Sequence, residues 1–340
     1  MKLPGFKDCI FTALAAFAAM RDRAGALRGK AATVVLVLLC AMHLGMALWG
    51  VSSRWHFHHQ GWNGARRSIN ARNYLRFGYV ETRLAPLDNV GAAKRADGKP
   101  APQQKYWHHP PGFALLLSVA FALLGDSETV ARLFSVLLYM SVFLMLLYVF
   151  RRSRGDWETT LALLILTFTP IYAGYLNLVN FEPLVLFSMA ACLFLYEQYR
   201  QDRRWWKLAV LALAVLVGAF SDYPVFPFYF YFWVVACVLE AREGLRRGWK
   251  LPVLFPLMVL AAGALLVLQL LGMKDSVDSF VGLYNYRHTV KSDTPLLFVF
   301  TRWDYYLGFF GPVTLAFSAW WLLDLGIRAL FASSSGPTAT

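Results

Sequence analysis

Charge is scarce in this chain. Asp, Glu, Lys and Arg make up 16% of its 340 residues and hydrophobic residues 58%, whereas soluble domains carry about 25% charged and about 45–50% apolar residues. Such low charge, with apolar runs recurring along the chain, excludes an ordinary soluble domain and points to a polytopic membrane protein. Cysteine is equally sparse. Cys9, Cys40, Cys192 and Cys237 form no CxxC pair, and three of them sit in apolar runs, so they read as small core hydrophobes and not as a disulfide framework or a thiolate metal site. No GxGxxG follows a strand pattern, no internal repeat is visible, and no inverted pair of broken helices of the transporter kind occurs. The net charge of +13 is no pointer to nucleic acid. Its basic residues fall in short runs between apolar segments, where the positive-inside rule places them.

What is present is a series of apolar runs at 31–50, 130–150, 159–173, 183–196, 208–220, 224–239, 251–271 and 311–331. Ahead of them, Lys2 and Lys7 precede the run Cys9–Met20, followed by Arg21, Arg23, Arg28 and Lys30. That pattern reads as a cytoplasmic segment, residues 1–30, with an interfacial helix; a cleaved signal peptide is the alternative. The stretch Pro111–Leu124 is apolar, but at about 14 residues it suits an interfacial or re-entrant helix better than a span. If it does not span, the N-terminal cluster, Arg151–Arg154, Arg200–Lys207 and Arg242–Lys250 all share one side, in keeping with the positive-inside rule. The reading is an all-α integral membrane protein of about eight spans with both termini cytoplasmic. It has a long first outer loop at 52–127, a later outer loop at 273–310, and a disordered Ser/Gly/Pro/Thr-rich tail at 333–340.

The first outer loop concentrates the chemistry. Of the seven histidines, His56, His58, His59, His108 and His109 lie in it. Residues 63–78 read as an amphipathic helix closed by Gly78, with Arg66, Arg67, Arg72 and Arg76 interleaved with apolar positions. This helix is either a solvated surface helix or an electropositive ledge for a lipid-linked phosphate, with Asn63 near its N-terminus, where an anion is favoured. Pro110-Pro111 suits the first turn of a helix. His108 and His109 would then stand at a helix start at membrane level, as structural interfacial residues or as groups that contact phosphate or move a proton. The cluster His56, His58 and His59 could hold a divalent cation with Glu182 or His109, although loop histidines are ordinarily solvated. Glu182, in Asn180-Phe181-Glu182-Pro183, either caps a helix or does work at membrane level. Asp222 reads as a plain turn or cap residue.

In these residues the chain resembles the GT-C membrane glycosyltransferases, specifically the family 39 group related to protein O-mannosyltransferases and lipid A aminoarabinose transferases. The resemblance covers roughly residues 31–310. It rests on span order, the long first loop, the 63–78 helix, Gly78-Tyr79-Val80-Glu81-Thr82, His109-Pro110-Pro111, the stretch from Gly125 to Arg132, and Asn180-Phe181-Glu182-Pro183. It implies a GT-C-type bundle in the plasma (bacterial inner) membrane. It also implies transfer of a sugar from a polyprenyl-phosphate carrier to a lipid, glycan or protein acceptor on the non-cytoplasmic face, with inversion. In such enzymes an acid early in the first loop serves as general base, and counting back from Gly78 places it at Asn63, an amide that cannot take a proton at neutral pH. Three explanations compete: Glu182, His59 or Glu81 supplies the base; Asn63 only orients an acceptor that needs little activation; or the chain is a catalytically silent, GT-C-shaped lipid-binding or assembly subunit. The resemblance points to His109 and Arg287 as lipid-phosphate contacts, and Arg66, Arg67, Arg72, His108 and Glu81 join them as the phosphate- and substrate-binding set. His109 stands where several relatives place a lysine. No cofactor is required beyond a possible divalent metal, and the chain is shorter than many members of the group.

Overall fold

The computed structural model describes residues 30–55, 59–88, 109–243, 249–272 and 282. Among these the protein is all-helical, with no strand. Its helices are α1 (Lys30–Leu48), α2 (His59–Phe77), α3 (Gly112–Leu124), α4 (Glu128–Ser153), α5 (Asp156–Phe168), α6 (Pro170–Gly174), α7 (Glu182–Asp202), α8 (Trp205–Ala219), α9 (Val225–Glu243) and α10 (Lys250–Leu271).

Local chemistry accounts for many of the boundaries. Gly78, at φ 85°, ends α2 and donates its N–H to Tyr74 O at 2.9 Å, a left-handed closure that costs a glycine little. Ser127 caps α4 by accepting from Val130 N at 3.1 Å. Glu128 in its first turn and Arg151 and Arg152 in its last match the helix dipole. The apolar run 159–173 is not one helix. It breaks at Thr169, and Pro170 starts α6, because a proline can neither donate to nor pack within a continuing turn. Each of the first seven apolar runs falls on helix. The run 311–331 lies outside the described residues, as do segment 1–29, almost all of the later loop and the tail. By length and composition, Glu128–Ser153, Val225–Arg242 and Lys250–Leu271 are long and apolar enough to cross a membrane.

Three packed regions share α4 and α7 between them. Leu195, Tyr199, Leu211, Val215, Tyr229 and Phe255 fill the space among α7, α8, α9 and α10. Ser188 Oγ donates to Ala214 O at 2.8 Å and lies 2.9 Å from Tyr229 OH, beside Gly218, where a Cβ would overlap both hydroxyls. A small residue at that crossing lets the backbones approach, as in membrane helix packing generally. Ala71, Phe113, Leu117, Phe121, Ala131, Leu138 and Leu184 join α2 and α3 to α4 and α7. Leu36, Leu39, Phe143 and Leu163, with Ala47, Tyr139 and Tyr172, seat α1 and α5 on α4.

The bundle has two chemically distinct ends. At one, the C-termini of α4, α7 and α9 meet the start of α8, and Arg203 pairs with the fully buried Glu240 at 2.7 Å. At the other end, Asn177 Nδ2 donates to Trp49 O at 2.7 Å, Gly112 N–H donates to Phe220 O at 2.6 Å, and Trp55 N–H donates to Glu128 Oε2 at 2.8 Å. Helix α3 begins and ends at this second end. Its start is tied to Phe220, and just past its far end Asp126 pairs with Arg72 of α2. It therefore lies along α2, with Tyr79 OH 2.9 Å from Ser118 Oγ.

Candidate functional site

The site grows from the first turns of α2. Gly64 packs so closely on Trp55 that a Cβ there would overlap the indole ring. Trp55 is held in turn by Glu128 at its backbone N–H and by Arg132, whose guanidinium lies 4.4 Å from the ring centroid. This contact docks α2 against the start of α4. A helical repeat then puts Asn63, Arg67 and Asn70 on one face.

Along that face the residues divide. Asn70 Nδ2 donates to Leu87 O and Asp88 Oδ1, both at 2.8 Å, and Asn73 Nδ2 donates to Leu87 O at 2.7 Å. Arg66 Nε donates to Asp88 Oδ2 at 2.9 Å, and Tyr74 OH to Leu84 O at 2.9 Å. These bonds strap residues 79–88 onto the helix. Arg83 Nη1 donates to Gly272 O at 2.8 Å and Gln269 Nε2 to Leu84 O at 3.1 Å, fastening the same strap to the end of α10. Arg67 points elsewhere. Buried at 5% exposure, it donates from Nε to Asn180 Oδ1 at 2.8 Å. Asn180 Nδ2 in turn donates to Glu182 Oε1 at 3.1 Å.

Glu182 opens α7 and is half-buried. Its Oε2 is enclosed and has no hydrogen-bond partner among the described residues. Burial pushes its carboxyl above the usual carboxylate range, nearby Asp222 adds to the rise, and its hydrogen bonds and Arg67 oppose it. Between Asn180 and Glu182, Phe181 stacks on His109, with centroids 4.0 Å apart, and has the Arg67 guanidinium 5.3 Å from its ring centroid. His109 Nδ1 lies 2.8 Å from Asp222 Oδ1; the carboxylate must accept, so Nδ1 carries the proton. Asp222, 5% exposed, also accepts from Tyr223 N at 2.9 Å. Just after Pro110-Pro111, Gly112 lies against Phe220, where a Cβ would overlap the carbonyl. That approach brings His109 to the α8–α9 turn.

Five segments thus converge: α2, the Asn180-Phe181 turn, the start of α7, the segment before α3, and the α8–α9 turn. The arrangement offers an enclosed carboxyl with one oxygen unspent, next to a guanidinium and a carboxylate-oriented imidazole. Such a set can accept a proton at Glu182 and hold an anion through Arg67 and His109.

The residues singled out by sequence separate accordingly. Arg67, His109 and Glu182 come together. Asn63 is half-buried one turn before Arg67. Arg66 is engaged with Asp88, Arg72 is exposed and paired with Asp126, and Glu81 is exposed on the strap. His59 opens α2, while His56, His58, His108 and Arg287 lie outside the described residues. Among the described residues no group of three His, Cys, Asp or Glu side chains could hold a metal ion. Sequence reasoning missed Asp222, taken for a turn residue, and Asn180 as the link between Arg67 and Glu182. One signal was available for Asp222: its turn contains no Lys or Arg, so a buried acid there must find its partner elsewhere in the chain.

Residues 108–268 match the model of the family described as dolichyl-phosphate-mannose-protein mannosyltransferase. The matched stretch contains His109, Asn180, Glu182 and Asp222, and α2 lies before it. No curated protein matches the chain. Among solved structures, the chain is similar to that of ArnT from Cupriavidus metallidurans in the apo state, with 18% identity, 69% of this chain and 41% of that chain covered, and a TM-score of 0.49. The chain therefore spans less than half the length of that structure's chain. The family match falls within the stretch over which the sequence resembles the GT-C group.

Proposed function

We propose that this protein moves a sugar from a polyprenyl-phosphate carrier to an acceptor on the non-cytoplasmic face of the plasma (bacterial inner) membrane, with inversion. The observation that carries the reading is the connected set Arg67–Asn180–Glu182 beside His109–Asp222. It lies at the bundle end opposite the basic clusters, which the positive-inside rule assigns to the cytoplasm together with both termini.

In this reaction Glu182 Oε2 takes the proton from the acceptor hydroxyl. The acceptor oxygen forms its bond to the anomeric carbon while the bond from that carbon to the phosphate oxygen breaks, and the electron pair leaves with the polyprenyl phosphate. Arg67 faces the developing phosphate charge as a cation, and His109, its Nδ1–H held by Asp222, adds an Nε2–H donor as the imidazolium, with His108 and Arg287 as further phosphate contacts. Asp222 accepts from His109 Nδ1–H, orients the ring and stabilises its imidazolium. Asn63, on the face of Arg67, orients the acceptor. Arg66 and Arg72, bound to Asp88 and Asp126, hold α2 in place beside the site. Glu81 and His59 are the alternative bases. His56 and His58 remain the candidates for a divalent cation.

The test is transfer from a labelled polyprenyl-phosphate sugar by the wild type, Glu182→Gln and Asn63→Ala. Glu182→Gln should lose about 10²–10⁴-fold in rate, the usual contribution of a positioned base, while Asn63→Ala keeps measurable transfer. Wild-type transfer that survives both substitutions would sink the assignment. One observation favours a second reading, the silent lipid-binding or assembly subunit: the amide of Asn63 stands where the resemblance expects an acid. Tight polyprenyl-phosphate binding without turnover of any donor would select it.

A further inference from the structure

The basic end of the bundle carries a feature that sugar transfer does not use. Leu144, Leu147, Tyr148, Arg151 and Arg152 line an open groove. Their spacing places them on one face of α4. Helix α7 flanks the groove. Phe194 meets Tyr148 edge-on with centroids 5.1 Å apart, and Gln201 Nε2 donates to Tyr148 OH at 2.9 Å. The groove is therefore graded, with leucine side chains toward the middle of the bundle, a fixed phenol next, and two guanidinium groups at the mouth.

Charge at this end is unevenly spent. Arg203 is held by Glu240, Arg200 lies near Glu197, and Arg204 and Lys207 both reach Asp202. Arg151 Nε lies 2.7 Å from Asp156 Oδ1. Arg152 is exposed and makes no ion pair or hydrogen bond among the described residues. Arg154, Arg242 and Lys250 at this end are likewise exposed, but of these residues Arg152 lines the groove, so positive charge with no acidic partner among the described residues stands at its mouth, two helical turns from Leu144.

We infer that this groove binds an anionic phospholipid. Its acyl chain lies along Leu144 and Leu147, and its headgroup phosphate is taken by Arg152 and Arg151 beside Tyr148 OH. Guanidinium groups match a phosphate in planar, paired hydrogen bonds, and basic residues at the end of a membrane helix select anionic over zwitterionic lipids. The apolar wall distinguishes a lipid from free phosphate, which would gain nothing from Leu144 or Leu147.

The experiment uses the full chain in phosphatidylcholine nanodiscs doped with phosphatidylglycerol, and measures the lipids retained after extraction by native mass spectrometry. Phosphatidylglycerol should be retained in preference to phosphatidylcholine, and Arg151→Gln/Arg152→Gln should weaken that preference by about fivefold per arginine, the scale of one basic residue at an anionic surface. Arg242→Gln, an exposed arginine at the same end on α9, should leave the preference intact, and melting temperatures of all variants verify folding. Equal retention of the two lipids, an equal loss in Arg242→Gln, or displacement of the lipid by inorganic phosphate at millimolar concentration overturns the inference. So does a dimer without bound lipid, which would place a second copy in the groove.

Discussion

Arg67 Nε reaches Asn180 Oδ1 across 2.8 Å, joining α2 to a turn 113 positions further along the chain. The bond holds a buried cation beside Glu182 and fixes the Asn180 amide so that its NH2 faces the carboxylate. Arg67→Ala should cost about 1.5–3 kcal/mol of stability, the range for a hydrogen bond involving a charged group. It should also raise KM for a lipid-linked donor. Denaturation in detergent and donor titration check the two effects separately.

Glu182 gives the pH dependence a sign. Burial raises its folded-state pKa above the ordinary carboxylate value. Its contribution to stability is therefore complete below the unfolded-state pKa and is lost as pH rises through the raised folded value. Glu182→Gln has no such titration, so its stability relative to wild type should increase across that window and then level off. Wild-type transfer should rise with pH through the same raised pKa, because the base must be ionised. A rate profile flat across that window would remove Glu182 as the base.

Asp222 tests whether the histidine is merely packed. Asp222→Asn removes the charge facing His109 Nδ1 and should lower transfer about tenfold or more, in line with the loss of a charge-assisted hydrogen bond. His109 stays in place through its stacking on Phe181, so the melting temperature should fall only modestly. Unchanged kinetics with a large loss of stability would make the pair purely structural.

Gly64 offers a packing test. Gly64→Ala drives a methyl group into the Trp55 ring and should cost about 1–3 kcal/mol, as overpacking does. Trp55→Leu in the same chain should recover part of that loss, a coupling that a double-mutant cycle measures.

At the other end, Glu240 is fully buried and bound at both oxygens by Arg203. Glu240→Ala removes the buried acceptor of the quarter-exposed Arg203 guanidinium and should cost about 1.5–3 kcal/mol, the range for a hydrogen bond involving a charged group. Arg151→Ala, which removes an exposed pair with Asp156, should change stability by less than about 1 kcal/mol. Comparing their melting temperatures decides whether burial or mere pairing sets the cost.

The sequence by itself determined the features that follow from neighbours along the chain. Runs of apolar residues declare membrane helices, because each residue's preference for hydrocarbon adds along the run. Gly78, Ser127 and the prolines at 111 and 183 mark helix ends, because φ restriction and capping act within one turn; Pro170, whose break in the run 159–173 was not anticipated, acts the same way. The basic clusters distinguish the two ends of the bundle. What only the tertiary structure decided is partnership. Four arginines on α2 look alike in sequence, yet Arg66 serves the strap, Arg72 serves Asp126, and Arg67 alone of these three enters the cluster with Asn180. Likewise Asp222 reads locally as a turn residue, and becomes part of a site only because the contact between Gly112 and Phe220 carries His109 to it. Electrostatic and hydrogen-bond partners are set by distance in space, and these pairs lie 113 residues apart, beyond the reach of any local pattern.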